Sequence, residues 1–337
     1  MRDGLLERLR CPRCHAERSL ELHGARRENG EIRDATLRCG VCGEERVVER
    51  GIVDLLPPDI PDYVAAESAG LDRFVDTMRA HGWTREDILE LPYRQDGYWY
   101  AQATAMHQTL GTQSLELTAG DQLLDVGANA CWASAMFAER GLDVTALDIN
   151  PNPFQGLASS EWWFEAKAVY FERVLGVMFD LPFADATFDY CWCCQVLHHN
   201  HRSNLYRTMR ELLRVLRPGG RLIVVNEPVR SIRDPKWNPG HAVAQYSGHE
   251  HAYLPASYAH AARRAGFDIE LTYPWTITMF TQSTFTLDPQ ASVPLAAWLA
   301  LVHTVRRVRP LRRAALAYKQ YDGSAAFQMI ATKPARL

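Results

Sequence analysis

The chain of 337 residues is 47% hydrophobic and 23% charged, with a formal net charge of −3. That length and composition support a full core and about two domains and exclude an intrinsically disordered chain, while the charge excludes a globally basic nucleic-acid binder. The longest apolar run, Val293 to Val302, is too short to span a bilayer, and the opening MRDGLLERLRC is charged and amphipathic, so no transmembrane segment or secretory leader is read and a cytoplasmic location is expected.

Residues 1 to 56 form the first unit. Four of the eight cysteines fall in two pairs, Cys11-Pro12-Arg13-Cys14 and Cys39-Gly40-Val41-Cys42, with 24 residues between them. Two C-x2-C knuckles present the four thiolates of a closed, tetrahedral structural zinc site, and a reducing compartment favours metal over disulfide. A redox dithiol and a ribbon without metal are the alternatives. The intervening LELHGARRENGEIRDATLRC reads as strand, polar turn, strand. So small a unit has almost no core of its own, and metal is expected to supply much of its folding free energy. Eleven Lys/Arg face eleven Asp/Glu over residues 1 to 56, a balance that does not favour gripping phosphates. His15 and His23 read as surface residues.

Pro57-Pro58-Asp59-Ile60-Pro61 is a stiff linker. Helices are predicted over Ala65 to Ala80, Thr84 to Leu91 with Thr84 as cap, and Trp99 to Leu110. Tyr98 and Tyr100, in a stretch both aromatic and polar, are candidates to line a site under this helical lid; the plainer role is to pack the lid down.

From Leu123 the pattern changes. Leu123, Leu124 and Val126 form an apolar run that ends in the small-residue turn Gly127-Ala128-Asn129-Ala130. A helix-period segment (Trp132, Ala135, Met136) is stopped by Gly141, and a second apolar run, Val144 to Leu147, ends on Asp148. In such a unit the turn admits a ligand to the helix N-terminus, and an acid about 20 residues further on accepts from two ribose hydroxyls. A single glycine provides poorly for a diphosphate, and Asp125 just before the turn would repel one. Carboxylates at Asp125 and Asp148 around a turn of Gly127 and Asn129 suit S-adenosylmethionine better than a dinucleotide. An α/β unit with no nucleoside is the plainer alternative.

Asn150 to Pro153 leads into a helix-like EWWFEAKAVYFERVL, whose aromatics are expected to pack on the sheet. Gly176 to Phe179 is predicted as the third strand, ending at Asp180. Phe188 to Cys194 is apolar on both faces, as a central parallel strand should be, and Cys191, Cys193 and Cys194 read as packing. Gln195-Val196-Leu197-His198-His199 follows at that strand's C-terminal end, the edge where open α/β sheets bind ligands. His198 or His199 is a candidate base for a substrate hydroxyl. The helix from Ser203 stops at Pro218-Gly219-Gly220, RLIVVN is the fifth strand, and Glu227 just beyond it is a second base candidate. Within Gly248 to Leu254, His249, His251 and Tyr253 are candidate substrate contacts, since His-Glu-His is not the helical metal motif. FDIELTYP and AAFQMIATKP are the sixth and seventh strands. Between them lies an insertion, Trp275 to Gly323, in which an apolar Pro294 to Val305 runs into Arg306, Arg307, Arg309, Arg312 and Arg313. It is read as packing on its own domain, with lying on an anionic bilayer as the alternative.

The segments LDVGANACWAS, VTALDIN, FDLPFADATFDYCWCCQVLHH and LLRVLRPGGRLIVVNEP, in that order, resemble the motifs of the Rossmann-like (class I) S-adenosylmethionine-dependent methyltransferases over about Asp121 to Asn226. The family's loop is Asp/Glu-x-Gly-x-Gly-x-Gly, and here Asn129 and Cys131 stand at the second and third glycines. The resemblance implies a doubly wound, seven-stranded, mostly parallel α/β sheet. It implies a methionine-side loop at Asp125, Gly127 and Asn129, ribose contacts at Asp148 and Ile149, adenine contacts at Asp180 and the Leu181 amide, and Gln195 beside the cofactor. The ribbon resembles the Trm112-like domain, and also the zinc segment of ribosomal-RNA guanine methyltransferases. The expected organisation is a zinc ribbon at 1–56, a linker and helical lid at 57–118, and the methyltransferase domain at 119–337. The expected activity is methylation of a small-molecule or sugar hydroxyl, using S-adenosylmethionine and a structural Zn2+. An RNA base methyltransferase that grips nucleic acid with the ribbon and a non-catalytic scaffold are the alternatives.

Overall fold

The computed structural model describes residues 1–94, 115–229, 253–272 and 327–335, together with 103, 106–107, 109–111, 251, 308, 310–311 and 314. A short 3-10 turn, Asp3–Arg8, precedes four antiparallel strands: β1 (Leu20–Glu28), β2 (Glu31–Cys39), β3 (Glu45–Glu49) and β4 (Ile52–Asp54). Asn29 and Gly30, both at positive φ (50° and 78°), make the two-residue turn that the twist of the β1–β2 hairpin favours. Next come α1 (Asp62–Ala80) and α2 (Arg85–Leu89). Thr84 caps α2 as expected: its hydroxyl accepts from the Asp87 amide, while the Asp87 carboxylate accepts from the Thr84 amide at 2.8 Å.

The remaining elements alternate. They are β5 (Gln122–Val126), α3 (Trp132–Glu139), β6 (Asp143–Asp148), α4 (Ser160–Lys167), β7 (Glu172–Leu175), β8 (Phe188–Cys194), α5 (Leu205–Val215), β9 (Leu216–Glu227), α6 (Pro255–Ala265), β10 (Asp268–Thr272) and β11 (Phe327–Thr332). All strands join one sheet in the order β1-β2-β3-β4-β7-β6-β5-β8-β9-β11-β10. Neighbours from β4 to β9 run parallel, and the β9–β11 and β11–β10 pairs are antiparallel. Strand order reverses beside β5, which places a crevice at the C-terminal ends of β5 and β8.

Three expectations need correction. The seven expected strands are present, but among the described residues the sheet has eleven. The difference arises because β4 lies parallel to β7, with Ile52 beside Arg173 and Val53 beside Val174, and brings the whole ribbon onto the sheet's edge. Nor is the ribbon coreless: Leu5, Leu9, Ile32, Leu37 and Val53 are buried with Val174, Phe183 and Phe188 in one apolar layer. Val75, Met78, Ile88, Phe137, Trp163 and Trp192 help fill a second layer. Finally, the third strand is Glu172–Leu175 and not Gly176 to Phe179. Helix α4 stops at Lys167, Ala168 turns left-handed (φ 53°), and the polar strand after it is buried against partners from the ribbon. The Glu172 carboxylate accepts from the Arg2 amide at 3.1 Å, and the fully buried Arg173 guanidinium pairs with Glu31 and, at 2.7 Å, with Glu161.

A smaller shift occurs at Leu216, where β9 begins. The Pro218-Gly219-Gly220 stop lies inside an irregular strand start, where the register with β8 slips between Phe188 and Tyr190. The insertion's apolar run and the arginines after it lie outside the described residues. Among the described residues no helix is long and apolar enough to cross a membrane.

Candidate functional site

The turn after β5 keeps a glycine-loop backbone without the glycines. Gly127 (φ 72°), Asn129 (φ 44°) and Cys131 (φ 59°) all adopt left-handed conformations. Asn tolerates that region, and the buried Cys131 is held in it as the residue that begins α3. Gly127 is the position with no alternative, because a Cβ there would come 2.3 Å from Val196 Cγ2 on the loop after β8.

Both carboxylates predicted to flank this turn are there. Asp125 is buried and accepts from the Ser134 hydroxyl at 2.6 Å. Burial, with a smaller contribution from Asp148, pushes its pKa up to about 7. Asp148, at the tip of β6, accepts from the backbone amides of Asn129 (2.8 Å) and Asn150 (2.9 Å), which fastens the turn to the neighbouring strand. Burial raises its pKa as well. Ile149 beside it packs into a small apolar cluster with Val64, Val177 and Phe179.

Asp180 and Leu181 do not join this rim as expected. With the third strand ending at Leu175, Asp180 falls in a later turn, and its oxygens pair with Arg10 (2.7 Å) and Arg207 (3.0 Å). The Leu181 amide donates to Glu211 at 3.0 Å. These groups fasten the ribbon to α5, and Val177 stands nearer the strand end, where the adenine acid was expected.

After β8, Gln195 turns left-handed (φ 51°) with its amide on the Val225 carbonyl at 3.2 Å, and the chain folds back over Gly127. Glu227, at the end of β9, organises the loop from Val196 to His198. Its fully buried carboxylate accepts from the amides of Val196 (3.1 Å) and His198 (2.6 Å). The same carboxylate lies 2.8 Å from His198 Nδ1, so two of the three candidate bases form one carboxylate–imidazole pair. Burial, then the neighbouring His199, lowers the His198 pKa to about 4. His199 pairs instead with Glu67 of α1, Nδ1 to Oε1 2.5 Å, and the two imidazole centroids are 4.1 Å apart.

The predicted substrate contacts divide. His251 is half-buried, its amide donates to the His198 carbonyl at 2.8 Å, and its ring stands edge-on to His201 at 5.7 Å. Tyr253 is buried with its hydroxyl donating to the Asn200 carbonyl, so it supports the loop after β8 from beneath. Tyr98, Tyr100 and His249 lie outside the described residues. Sequence reasoning missed Ser134, Val196 and Glu67. Only Glu67 left a signal there, as a charged residue on an otherwise apolar helical stripe.

In the ribbon, Cys11, Cys14, Cys39 and Cys42 converge, their sulfur atoms all within 4.8 Å of one another. Cys11 Sγ is 3.6 Å from Cys42 Sγ, and Cys14 Sγ is 3.7 Å from Cys39 Sγ. Tetrahedral thiolates at about 2.3 Å from zinc would be about 3.8 Å apart, so the set fits that ion. The two knuckles share one backbone geometry: the His15 amide donates to Cys11 (3.0 Å), the Gly43 amide to Cys39 (2.9 Å), and both donors sit at positive φ.

Residues 124–224 match the family model of the methyltransferase domain. The chain is 32% identical over 168 residues to a malonyl-[acyl-carrier protein] O-methyltransferase of Serratia marcescens, a match covering 48% of this chain and 61% of that protein. It is 33% identical over 145 residues to a demethylmenaquinone methyltransferase of Tropheryma whipplei, covering 43% and 54%. With a 27-O-demethylrifamycin SV methyltransferase of Amycolatopsis mediterranei it shares 32% over 136 residues, covering 37% and 48%. The match thus spans about half of each curated relative's length. Glycine-loop backbone, flanking acids, strand order and family match agree that residues 124–224 are a methyltransferase domain.

Proposed function

We propose that the protein transfers a methyl group from S-adenosylmethionine to the hydroxyl of a small molecule, a sugar or another metabolite, with His198 as the general base and Glu227 as the group that orients it. The observation that carries this reading is the Glu227 carboxylate on His198 Nδ1 at 2.8 Å, beside the turn at Gly127. Two of the relatives bear names that specify O-methylation.

Asp125 and the turn at Gly127, Asn129 and Cys131 would hold the methionine end, Asp148 the ribose, and the apolar patch of Ile149 and Val177 the adenine. Bound S-adenosylmethionine supplies an electrophilic methyl on a sulfonium. Burial keeps His198 neutral, the form that can accept a proton. A carboxylate at Nδ1 places the ring's own proton there and makes Nε2 the accepting nitrogen. As the acceptor oxygen forms its bond to the methyl carbon, its proton passes to Nε2 and the sulfur keeps the electron pair of the broken bond. His198 is a weak base by itself, and Glu227 stabilises the imidazolium that forms. The four ribbon cysteines are inferred to hold a structural zinc ion.

Calorimetry with S-adenosylmethionine, followed by a screen of hydroxylated metabolites for formation of S-adenosylhomocysteine, tests this reading. His198→Asn is expected to lower kcat by about 10²- to 10⁴-fold while leaving cofactor affinity unchanged. A wild-type chain that binds neither S-adenosylmethionine nor S-adenosylhomocysteine would sink the proposal.

A further inference from the structure

Leu197, His198 and His199 make up one short 3-10 turn, closed by the His199 amide on the Val196 carbonyl (3.1 Å) and the Asn200 amide on the Leu197 carbonyl (3.1 Å). So short a turn has poor hydrogen-bond geometry of its own, and its shape depends on what neighbouring elements attach to it. Glu227 takes up the amides of Val196 and His198. The buried carbonyls need donors as much as those amides need an acceptor.

Two elements supply them. From the segment ahead of α6, the His251 amide donates to the His198 carbonyl at 2.8 Å, and the buried Tyr253 hydroxyl donates to the Asn200 carbonyl. That segment is itself joined to the chain just past Glu227 by a parallel bridge between Tyr253 and Val229. From α5, the Thr208 hydroxyl donates to Asn200 Oδ1 at 2.6 Å, and Asn200 Nδ2 donates in turn to the Leu197 carbonyl at 3.1 Å. Asn200 and Thr208 are both buried, and the two supports meet at Asn200: its main chain on Tyr253, its side chain on Thr208. The backbone of His198 is thereby bonded at its amide by Glu227 and at its carbonyl by His251.

Resting on the reading of His198 as the general base, we propose that Tyr253 is a positioning residue for that base. Through the Asn200 carbonyl its hydroxyl fixes the turn Leu197–His199, and with it the alignment of the His198 ring on Glu227 and the exclusion of water from the pair. A residue that the sequence offers as a substrate contact acts on the reaction through the base instead.

An NMR titration of the full chain carrying 15N-labelled histidine reads this without a methyl acceptor, the His198 signal being the one that His198→Asn removes. In the wild type His198 titrates near 4, chiefly because it is buried, with His199 lowering the value and Glu227 and Glu67 raising it. Tyr253→Phe leaves the Asn200 carbonyl without that donor and opens the turn to water. The His198 midpoint is then expected to rise by about one pH unit or more towards the ordinary value, and exchange of the His198 amide to quicken about tenfold or more. Thr208→Val, which removes the donor to the Asn200 side chain, should move both readings the same way. Tyr190→Phe deletes a tyrosine hydroxyl from the Glu116 carbonyl (2.6 Å), away from this turn, and should move neither. An unshifted midpoint in Tyr253→Phe would overturn the proposal; where that variant does not fold, an unshifted midpoint in Thr208→Val would do so. A kcat that survives His198→Asn in the acceptor screen would instead overturn the base reading, and this proposal with it, whatever the titration shows.

Discussion

The contact between Gly127 and Val196 can be tested with one methyl group. In Gly127→Ala the new Cβ would lie 2.3 Å from Val196 Cγ2 and 2.9 Å from Val196 Cβ, at a φ of 72°. An L-residue in the left-handed region costs about 1–2 kcal/mol, and overpacking of this kind about 1–3 kcal/mol. The sum, about 2–5 kcal/mol, falls on a turn whose neighbours also carry Asp125 and His198. Because the amides of Val196 itself and of His198 are both bound to Glu227, the loop after β8 has little freedom to retreat. The turn is therefore expected to open, and S-adenosylmethionine affinity measured by calorimetry to fall about 30-fold or more, 1.4 kcal/mol being a factor of ten. Val196→Ala in the same chain removes Cγ2 and should recover part of the loss, leaving the φ cost. Unchanged affinity in Gly127→Ala, or no recovery in the double variant, would refute the account of the turn as a joint held by close approach.

Three other outcomes are expected. Chelation, or Cys39→Ser, should remove one zinc ion per chain by elemental analysis and lower the thermal midpoint, with hydrogen exchange rising first in β1 to β3; intact protection without metal would contradict this. Asp125 titrates near 7 in the folded chain against an ordinary value of 3.8. The folded chain thus retains a proton that the unfolded chain has lost. Its contribution to stability is full below about pH 4 and declines as pH rises to about 7, so Asp125→Asn should flatten the ligand-free urea midpoint over that range. Arg173→Leu should cost about 1–3 kcal/mol in urea unfolding, because Glu31 and Glu161 lose the buried guanidinium while Glu31 keeps Arg33 and the Met1 amine. A loss below about 1 kcal/mol would show that the pair is dispensable.

Where function was legible in the sequence, the information was local. Asp125, Gly127 and Asp148 stand at the ends of short apolar runs, and the period of those runs fixes which residue meets the turn. The pairing of His198 with Glu227 was half visible. Each sits at the C-terminal end of a strand, but that the strands are neighbours is a fact of topology, which periodicity does not carry. The third strand was misplaced for a physical reason. Glu172 and Arg173 are polar where a buried strand should be apolar, and partners that include the distant Arg2 and Glu31 make their burial tolerable. Asp180 was then assigned to the wrong strand end, and its ion pairs with Arg10 and Arg207 show what it does instead. Cys131 shows the opposite case: a residue with a side chain takes up the left-handed geometry a glycine would have supplied.

The ribbon changes meaning most between sequence and fold. As a separate unit it would rely on its metal and touch the methyltransferase domain only through a linker. As the edge of the sheet it shares an apolar layer with β7 and β8, and its first turn is bridged to the loop after β7 at Leu9 and Phe183. Arg10, adjacent to the first knuckle cysteine, donates its amide to the Pro182 carbonyl at 3.1 Å and its Nε to the Leu181 carbonyl at 2.9 Å. That loop includes Val177, in the apolar patch proposed for the adenine. Four thiolates at one end and a ligand patch at the other are therefore joined by a short stretch of hydrogen-bonded backbone. Disorder at the cysteines would reach the cleft through Arg10 before it reached β5. A metal held by these cysteines would then act on function through the geometry it imposes on the strand edge, at a distance from the chemistry itself.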